Sequence, residues 1–146
     1  MNVSRVYLDT SILIKRYVKE EDSNIADSYF HQAHRGEAII FLSEINLGEA
    51  AVVFDKYARK TGINGRMQLG TMLSELVLLE KFSSAEIYPV SSRIIRKAVK
   101  TVIEQHIYIV DAIQLETCIE VGGTIFCSSD KKLNATARKL GITTAL

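Results

Sequence analysis

The chain reads as one α/β domain: a five-stranded, mostly parallel sheet with helices on both faces. Three observations predict it. Short apolar runs alternate with longer stretches of helical periodicity along all 146 residues. Strands separated by helices require parallel neighbours joined by crossovers. A content of 47% hydrophobic and 24% charged residues, with a single proline, is enough for one proper core. No linker, internal repeat or low-complexity segment divides the sequence, so residues 1–146 form a single domain.

The first strand is Val6-Tyr-Leu8, β-branched, aromatic and apolar, and it ends on Asp9-Thr-Ser11. Ile12, Leu13 and Tyr17 then recur at helical spacing. Asp9 thus marks a strand-to-helix junction, which in an open sheet serves as a cap or as a ligand site. Asp22 or Ser23 opens a second helix, with Ile25, Ala26, Tyr29, Phe30 and Ala33 on its buried side and an end near Gly36. Ala38 to Ser43 is the second strand. Ser43 caps a long helix running to about Lys60 and closed by Gly62, and Asn64 or Gly65 opens a second arm of this helical hairpin that reaches about Phe82. Ala85 to Val90 is a third strand, which Pro89 assigns to an edge or a strand terminus. Ser91 caps the next helix, Ile109 to Val121 forms another, Gly122-Gly123 breaks it, and Thr124 to Cys127 is the fourth strand. Asp130 to Leu140 is the last helix, stopped by Gly141, and Ile142 to Ala145 is a short fifth strand.

Composition narrows the function classes. A formal charge of +1 leaves no global electrostatic footprint, so any nucleic-acid binding must rest on a local basic patch. Cys118 and Cys127 form no Cys-x-x-Cys pattern and read as reduced core thiols of an intracellular protein. Arg5, Asp9, Lys15 and Arg16 lie too close together for a signal-peptide core, and no stretch has membrane-spanning length. The expectation is a soluble, cytoplasmic protein.

Carboxylates stand where apolar residues are expected. Glu49 lies four residues after Ile45 and three before Val52, on their helical face. Asp111 falls within Ile107-Tyr-Ile-Val-Asp-Ala-Ile113, in the first turns of its helix, where the dipole favours an acid. Asp130 follows a strand through Ser128-Ser129 and repeats the setting of Asp9, either as a cap or as part of a site. A buried ionised carboxylate without a partner costs several kcal/mol, so such groups are paired, neutralised or bound to a cation. Two of these acids lie at strand ends and two near helix starts, positions that can converge over one edge of a parallel sheet. Gathered there they repel one another unless divalent cations intervene, and an all-oxygen donor set suits Mg²⁺ or Mn²⁺. His31, His34 and His106 are not at metal-ligand spacing and read as surface or boundary residues.

Tyr7-Leu-Asp-Thr-Ser-Ile-Leu13, Glu49 within Ile-Asn-Leu-Gly-Glu-Ala, Val110-Asp-Ala-Ile-Gln-Leu115 and Ser128-Ser-Asp-Lys-Lys-Leu133 resemble the ordered acidic motifs of PIN domains. The likeness extends to the VapC-type toxins of toxin–antitoxin pairs and covers the whole chain. It implies a five-stranded parallel sheet, a divalent-metal-dependent endoribonuclease acting on RNA, dimerisation, and inhibition by a small antitoxin. Position by position, Asp9, Glu49, Asp111 and Asp130 match the family's acidic quartet. Ser11 matches the hydroxyl residue beside the first acid, and Ser128 stands where a threonine is common. Asn46 stands where many members have threonine, a departure confined at most to groups around the ligands.

The chemistry implied is metal-assisted hydrolysis. Asp9 and Asp111 hold the principal Mg²⁺ or Mn²⁺, Glu49 and Asp130 hold a second ion or its waters, and products carry 5′ phosphates. Ser11 could hydrogen-bond a metal water or the scissile phosphate. Arg93, Arg96, Lys97 and Lys100 follow i, i+3, i+4, i+7 and form one basic face opposite Ile95, Val99 and Val102, either solvated or in contact with phosphate. Lys15, Arg16, Arg59 and Lys60 are similar candidates. The helix with Met67, Leu69, Met72, Leu73 and Leu76 to Leu79 is apolar almost all round, a core element first and a dimer or antitoxin surface second. Two rivals stand beside this reading. A haloacid-dehalogenase-type phosphatase needs a second aspartate two residues after Asp9, where Ser11 stands. A non-catalytic RNA- or protein-binding module would keep its function with Glu49 and Asp111 neutralised.

Overall fold

In the computed structural model, which describes residues 2–122 and 124–146, four strands form one parallel sheet in the order β3-β2-β1-β4. They are β1 (Ser4–Leu8), β2 (Ala38–Ser43), β3 (Ala85–Tyr88) and β4 (Ile125–Cys127). The helices are α1 (Thr10–Leu13, continued by a 3₁₀ turn Ile14–Arg16), α2 (Ser23–His34), α3 (Glu44–Thr61), α4 (Gly65–Lys81), α5 (Ser92–Gln105), α6 (Ile109–Val121) and α7 (Lys131–Lys139). Val6 lies opposite Ile40 and Ile125, and Tyr7 opposite Phe41 and Phe126.

Side chains of a strand alternate between faces, and here both faces are covered, which is why the strands read as unbroken apolar runs. Val6, Leu8, Ile40 and Leu42 pack with Phe30, Phe54, Met72 and Leu76 from α2, α3 and α4. On the opposite face Tyr7, Phe41 and Phe126 pack with Leu115 and Cys118 of α6 and Leu133 and Ala137 of α7. From β1 the chain steps outward to β2 and β3, then returns past β1 to β4. The carboxyl ends of β1 and β4 therefore flank a topological switch point, the place where open α/β sheets bind ligands.

The expected fifth strand shrinks to a single bridge. Thr144 pairs with Phe126 alone, through Phe126 N–H to Thr143 O at 2.9 Å and Ala145 N–H to Phe126 O at 2.9 Å. β4 itself is only three residues long, so it offers no longer ladder. Pro89, which lacks an amide hydrogen, follows the last residue of β3, and β3 is an edge strand as expected. The first helix is also shorter than its periodicity suggests, passing into a 3₁₀ turn before Tyr17. The helix break at Gly122-Gly123 is described only at Gly122, which adopts φ +63° beyond α6; Gly123 lies outside the described residues.

Two faces differ from the sequence pattern. On α5 the buried residues are Ile94, Ala98 and Thr101, while Ile95 and Val99 face solvent at 37% and 53% exposure. Small side chains at 98 and 101 let α6 close against α5, and that contact outranks the larger apolar stripe. On α3 the buried line is Asn46, Ala50 and Phe54, and Val52 is exposed, so Glu49 borders the core rather than sharing a face with Val52. Cys118 and Cys127 are free, buried thiols, and among the described residues no helix is long and apolar enough to cross a membrane.

An ion-pair cluster ties α1, α2 and α4 together. Arg16 meets Glu75 through Nε at 3.1 Å and Nη2 at 2.9 Å, and Asp27 through Nη1 at 3.0 Å. Tyr17 and His34 also reach Glu75, at 2.8 Å each. Burial alone would raise the Glu75 carboxyl, but the bonds from Arg16, His34 and Tyr17 more than reverse this and hold it at about 2. Glu75→Ala leaves Arg16 partly buried without its main partner and is expected to cost about 2–4 kcal/mol in urea unfolding at neutral pH. The depressed pKa makes this contribution complete above the ordinary glutamate range and progressively lost as pH falls from about 4.5 to 2. The stability gap between wild type and Glu75→Ala should narrow over that window.

Candidate active site

Asp9 continues β1 by one residue, its N–H reaching Cys127 O on β4 at 2.9 Å, and its side chain is 5% exposed. It occupies the N-cap position of α1, yet its carboxylate makes no cap hydrogen bond. Instead Oδ2 accepts hydrogen bonds from the Ser11 and Ser128 hydroxyls, both at 2.7 Å. Those hydroxyls in turn accept backbone N–H groups, Ser11 from Ser129 at 3.1 Å and Ser128 from Asp130 at 3.0 Å. One carboxylate oxygen thereby stitches β1 to β4 across the switch point. Among the described residues Oδ1 takes no such bond.

Glu49 projects from the second turn of α3 and is held by a buried polar network centred on Asn46. The Asn46 Oδ1 accepts from the Tyr7 hydroxyl at 2.6 Å and the Ser43 N–H at 2.8 Å; its Nδ2 donates to Thr10 at 2.9 Å and to Gln114 at 2.6 Å. Thr10 passes its hydroxyl hydrogen to Glu49 Oε1 at 2.7 Å, and Gln114 Nε2 donates to the same oxygen at 3.4 Å. Asn46 and Gln114 are both fully buried. Every polar atom of Asn46 is satisfied, and the carboxylate is positioned by neutral donors rather than by a cation. Burial raises the Glu49 pKa, the Thr10 hydrogen bond opposes that rise, and the charge of Asp9 adds to it.

Asp111 sits half-buried in the first turn of α6 and accepts no hydrogen bond among the described residues. Its pKa is pushed up to about 6, first by burial and then by the charges of Asp9, Glu49 and Asp130, against the pull of the helix dipole. Among the described residues no cationic side chain forms an ion pair with it. Asp130 is exposed and caps α7, its Oδ1 accepting from Lys132 N at 2.9 Å and Leu133 N at 3.2 Å. The four acids thus come from four different elements, and Asp111 senses the charge of the other three. Among the described residues, however, no group of three or more His, Cys, Asp or Glu side chains stands at the spacing of a metal site. Hard oxygen donors with unrelieved mutual repulsion fit a divalent cation in kind, and it is the donor chemistry, not a preformed cage, that makes the fit.

The basic candidates are mostly engaged. Lys15 pairs with Asp22 at 3.7 Å, Arg93 and Lys97 with Glu120 at 3.8 and 3.7 Å, and Lys100 with Glu104 at 3.8 Å. Arg16 is committed to Glu75 and Asp27, while Arg96 is exposed without an ion pair among the described residues. The three histidines are exposed. Sequence patterning places Thr10 at a helix start and Tyr7 in a strand without marking either as part of this network. Gln114 carries a signal: a polar residue in the apolar run after Asp111, the same anomaly that marks Glu49.

A profile of the PIN domain family matches residues 6–139. The chain belongs to that family. Solved structures similar to this PIN domain include PAE2754 from Pyrobaculum aerophilum, with TM-score 0.65, 18% identity and coverage of 99% of this chain and 92% of that one. VapBC2 from Rickettsia felis, bound to a DNA fragment from its promoter, matches with TM-score 0.62, 17% identity and 96% coverage of both chains. A toxin–antitoxin complex from Klebsiella pneumoniae matches with TM-score 0.54 and 22% identity, covering 89% of this chain and 90% of that one. At these identities the likeness is one of fold. No curated protein matches the chain.

Within this PIN domain, Asn46 is the hinge of the polar network. Asn46→Ala removes a buried partner from Gln114, Thr10 and the Tyr7 hydroxyl and is expected to cost about 2–4 kcal/mol by chemical denaturation, more than a surface asparagine loses.

Proposed function

We propose that this chain is a divalent-metal-dependent endoribonuclease that hydrolyses RNA phosphodiesters, the cytoplasmic toxin of a VapBC-type pair restrained by a small antitoxin. The observation that carries the chemistry is the carboxylate set at the switch point, without an ion pair among the described residues and pushing Asp111 to about 6. PIN domains are generally nucleases, and fold relatives of this chain include VapBC2 and a toxin–antitoxin complex, which supports the toxin assignment.

Asp9 and Asp111 would hold the principal Mg²⁺ or Mn²⁺, with Glu49 and Asp130 holding a second ion or its waters. When bound, the ion supplies Lewis-acid activation of water and neutralises charge on the scissile phosphate. The chain's own groups set the stage for this. Ser11 and Ser128 fix Asp9 through one oxygen and leave the other available; Thr10 and Gln114 do the same for Glu49. Arg96, with Lys15, Arg93, Lys97 and Lys100 once released from their pairs, would contact RNA phosphates away from the carboxylates. The exterior of α4, where Met67, Val77, Leu78 and Phe82 are exposed, would serve as a homodimer or antitoxin surface.

A labelled, structured RNA incubated with the protein in Mg²⁺ or Mn²⁺ should be cut to 5′-phosphate ends. EDTA should abolish the cut, and Asp9→Asn should slow it by at least about 100-fold, since loss of even an outer-shell partner costs 10–100-fold. Intact RNA in both metals, with divalent-ion binding by calorimetry unchanged in Asp9→Asn, would leave a binding module whose acids are structural.

The raised pKa of Asp111 gives a second expectation. Ion binding requires the deprotonated carboxylate, so divalent-ion affinity should fall as pH drops through about 6. Without metal, the folded state holds this proton more tightly than the unfolded chain, whose aspartate titrates near 3.8. Stability in EDTA should therefore rise as pH falls from above 6 towards 4.5, and Asp111→Asn should raise the Tm at pH 7.5 and flatten that rise.

A further inference from the structure

We infer that Tyr108 is the stacking platform for a nucleobase beside the scissile phosphate, so that RNA is held single-stranded at the site; this rests on the nuclease reading above. Tyr108 is the N-cap residue of α6, three positions before Asp111. A phosphate held through a cation by these carboxylates would have its neighbouring base close to this end of α6. The residue is 67% exposed, and its side chain makes no cap hydrogen bond. Tyr7, Tyr17, Tyr57 and Tyr88 give their hydroxyl hydrogens to Asn46, Glu75, Glu20 and Glu86. Tyr29 and Tyr108 have no such partner among the described residues, and of these two Tyr29 packs against the core while Tyr108 is exposed.

The backbone on either side of the ring is anchored. Ile107 packs against both the core beneath α6 and the α5–α6 core, and Ile109 against the latter. A large apolar ring is thereby presented to solvent on a fixed base, an arrangement that costs little further ordering when a partner docks. Bases offer a π-face only when unstacked, which a duplex does not allow and a single strand or loop does. With a formal charge of only +1, the protein draws less on phosphate attraction than basic RNA-binding proteins do, so stacking carries a larger share of affinity. The competing occupant is a second protein chain, because Ile95, Val99 and Ile103 form an exposed apolar line along α5, the helix that leads into this loop.

The chain contains no tryptophan, so Tyr108→Trp introduces a single fluorescent reporter. Its emission is followed during titration with a single-stranded oligoribonucleotide and with the duplex of the same sequence, in Ca²⁺ and in EDTA, while anisotropy of labelled RNA measures binding independently. Tyr108→Ala and Tyr108→Phe are compared with wild type by anisotropy and by cleavage kinetics in Mg²⁺. The expected result is quenching by the single strand only, a Kd and KM raised about 10-fold in Tyr108→Ala with kcat unchanged, and near wild-type values in Tyr108→Phe. The inference is overturned by bound RNA that leaves the emission unchanged, by wild-type affinity in Tyr108→Ala, or by absence of RNA binding. Emission that shifts with protein concentration and ignores RNA also overturns it, in favour of a protein partner. Quenching without cleavage would remove the nuclease reading alone; cleavage without quenching would remove only the role of Tyr108.

Discussion

The carboxylate of Asp9 is the constraint around which the rest of the site is arranged. It is nearly fully buried at the carboxyl end of a central strand, where a charge without compensation is costly, and the compensation comes from two serine hydroxyls rather than from a base. Because each hydroxyl also accepts a backbone N–H from the segment after β4, the same bonds that stabilise the charge close the switch point. Neutral donors hold the carboxylate in place without cancelling it. The negative field therefore survives for the other acids to feel, and Asp111 registers it as a proton held at about 6.

The same choice is repeated around Glu49. Asn46 uses all four of its hydrogen-bonding positions to connect β1, the β2–α3 junction, α1 and α6, and the network ends on one oxygen of Glu49. A lysine or arginine in that position would have paired the acid and lowered the local field. The structure spends such cations elsewhere. Arg16 binds Glu75 and Asp27 and fastens the helices on one face of the sheet, while Arg93 and Lys97 clip α5 to α6 through Glu120. Separation of paired and unpaired acids is thus a property of the whole chain, and it explains how a protein of near-zero net charge keeps a strongly negative site.

Much of the fold was legible because local physics and tertiary context agree. The strands are buried on both faces, so each appears as an unbroken apolar run, and Ser43, Asn64, Ser91 and Asp130 cap α3, α4, α5 and α7 as their residue types require. Legibility failed where two patterns compete within one helix. Ile95 and Val99 are apolar yet exposed, while Ile94, Ala98 and Thr101 are the buried residues of α5, because close approach to α6 rewards small side chains at 98 and 101. The fifth strand failed for a different reason: pairing depends on the length of the neighbour, and three-residue β4 offers too little.

For the site, the sequence by itself determined which acids stand where apolar residues belong, and at which strand ends and helix starts, because burial of charge is a local anomaly against periodic patterning. It left open, for Asp9 and Asp130 alike, whether the carboxylate caps a helix or serves a ligand. The tertiary structure decides only which hydrogen bonds each carboxylate makes. Asp130 spends one oxygen on the N–H groups of α7, whereas Asp9 turns from its helix towards hydroxyls at 2.7 Å, one of which arrives from 119 residues away. The pK shift of Asp111 and the roles of Asn46 and Gln114 were likewise decided by packing. Each depends on distances between segments remote in sequence, and electrostatic and hydrogen-bond energies vary too steeply with distance for sequence spacing to supply them.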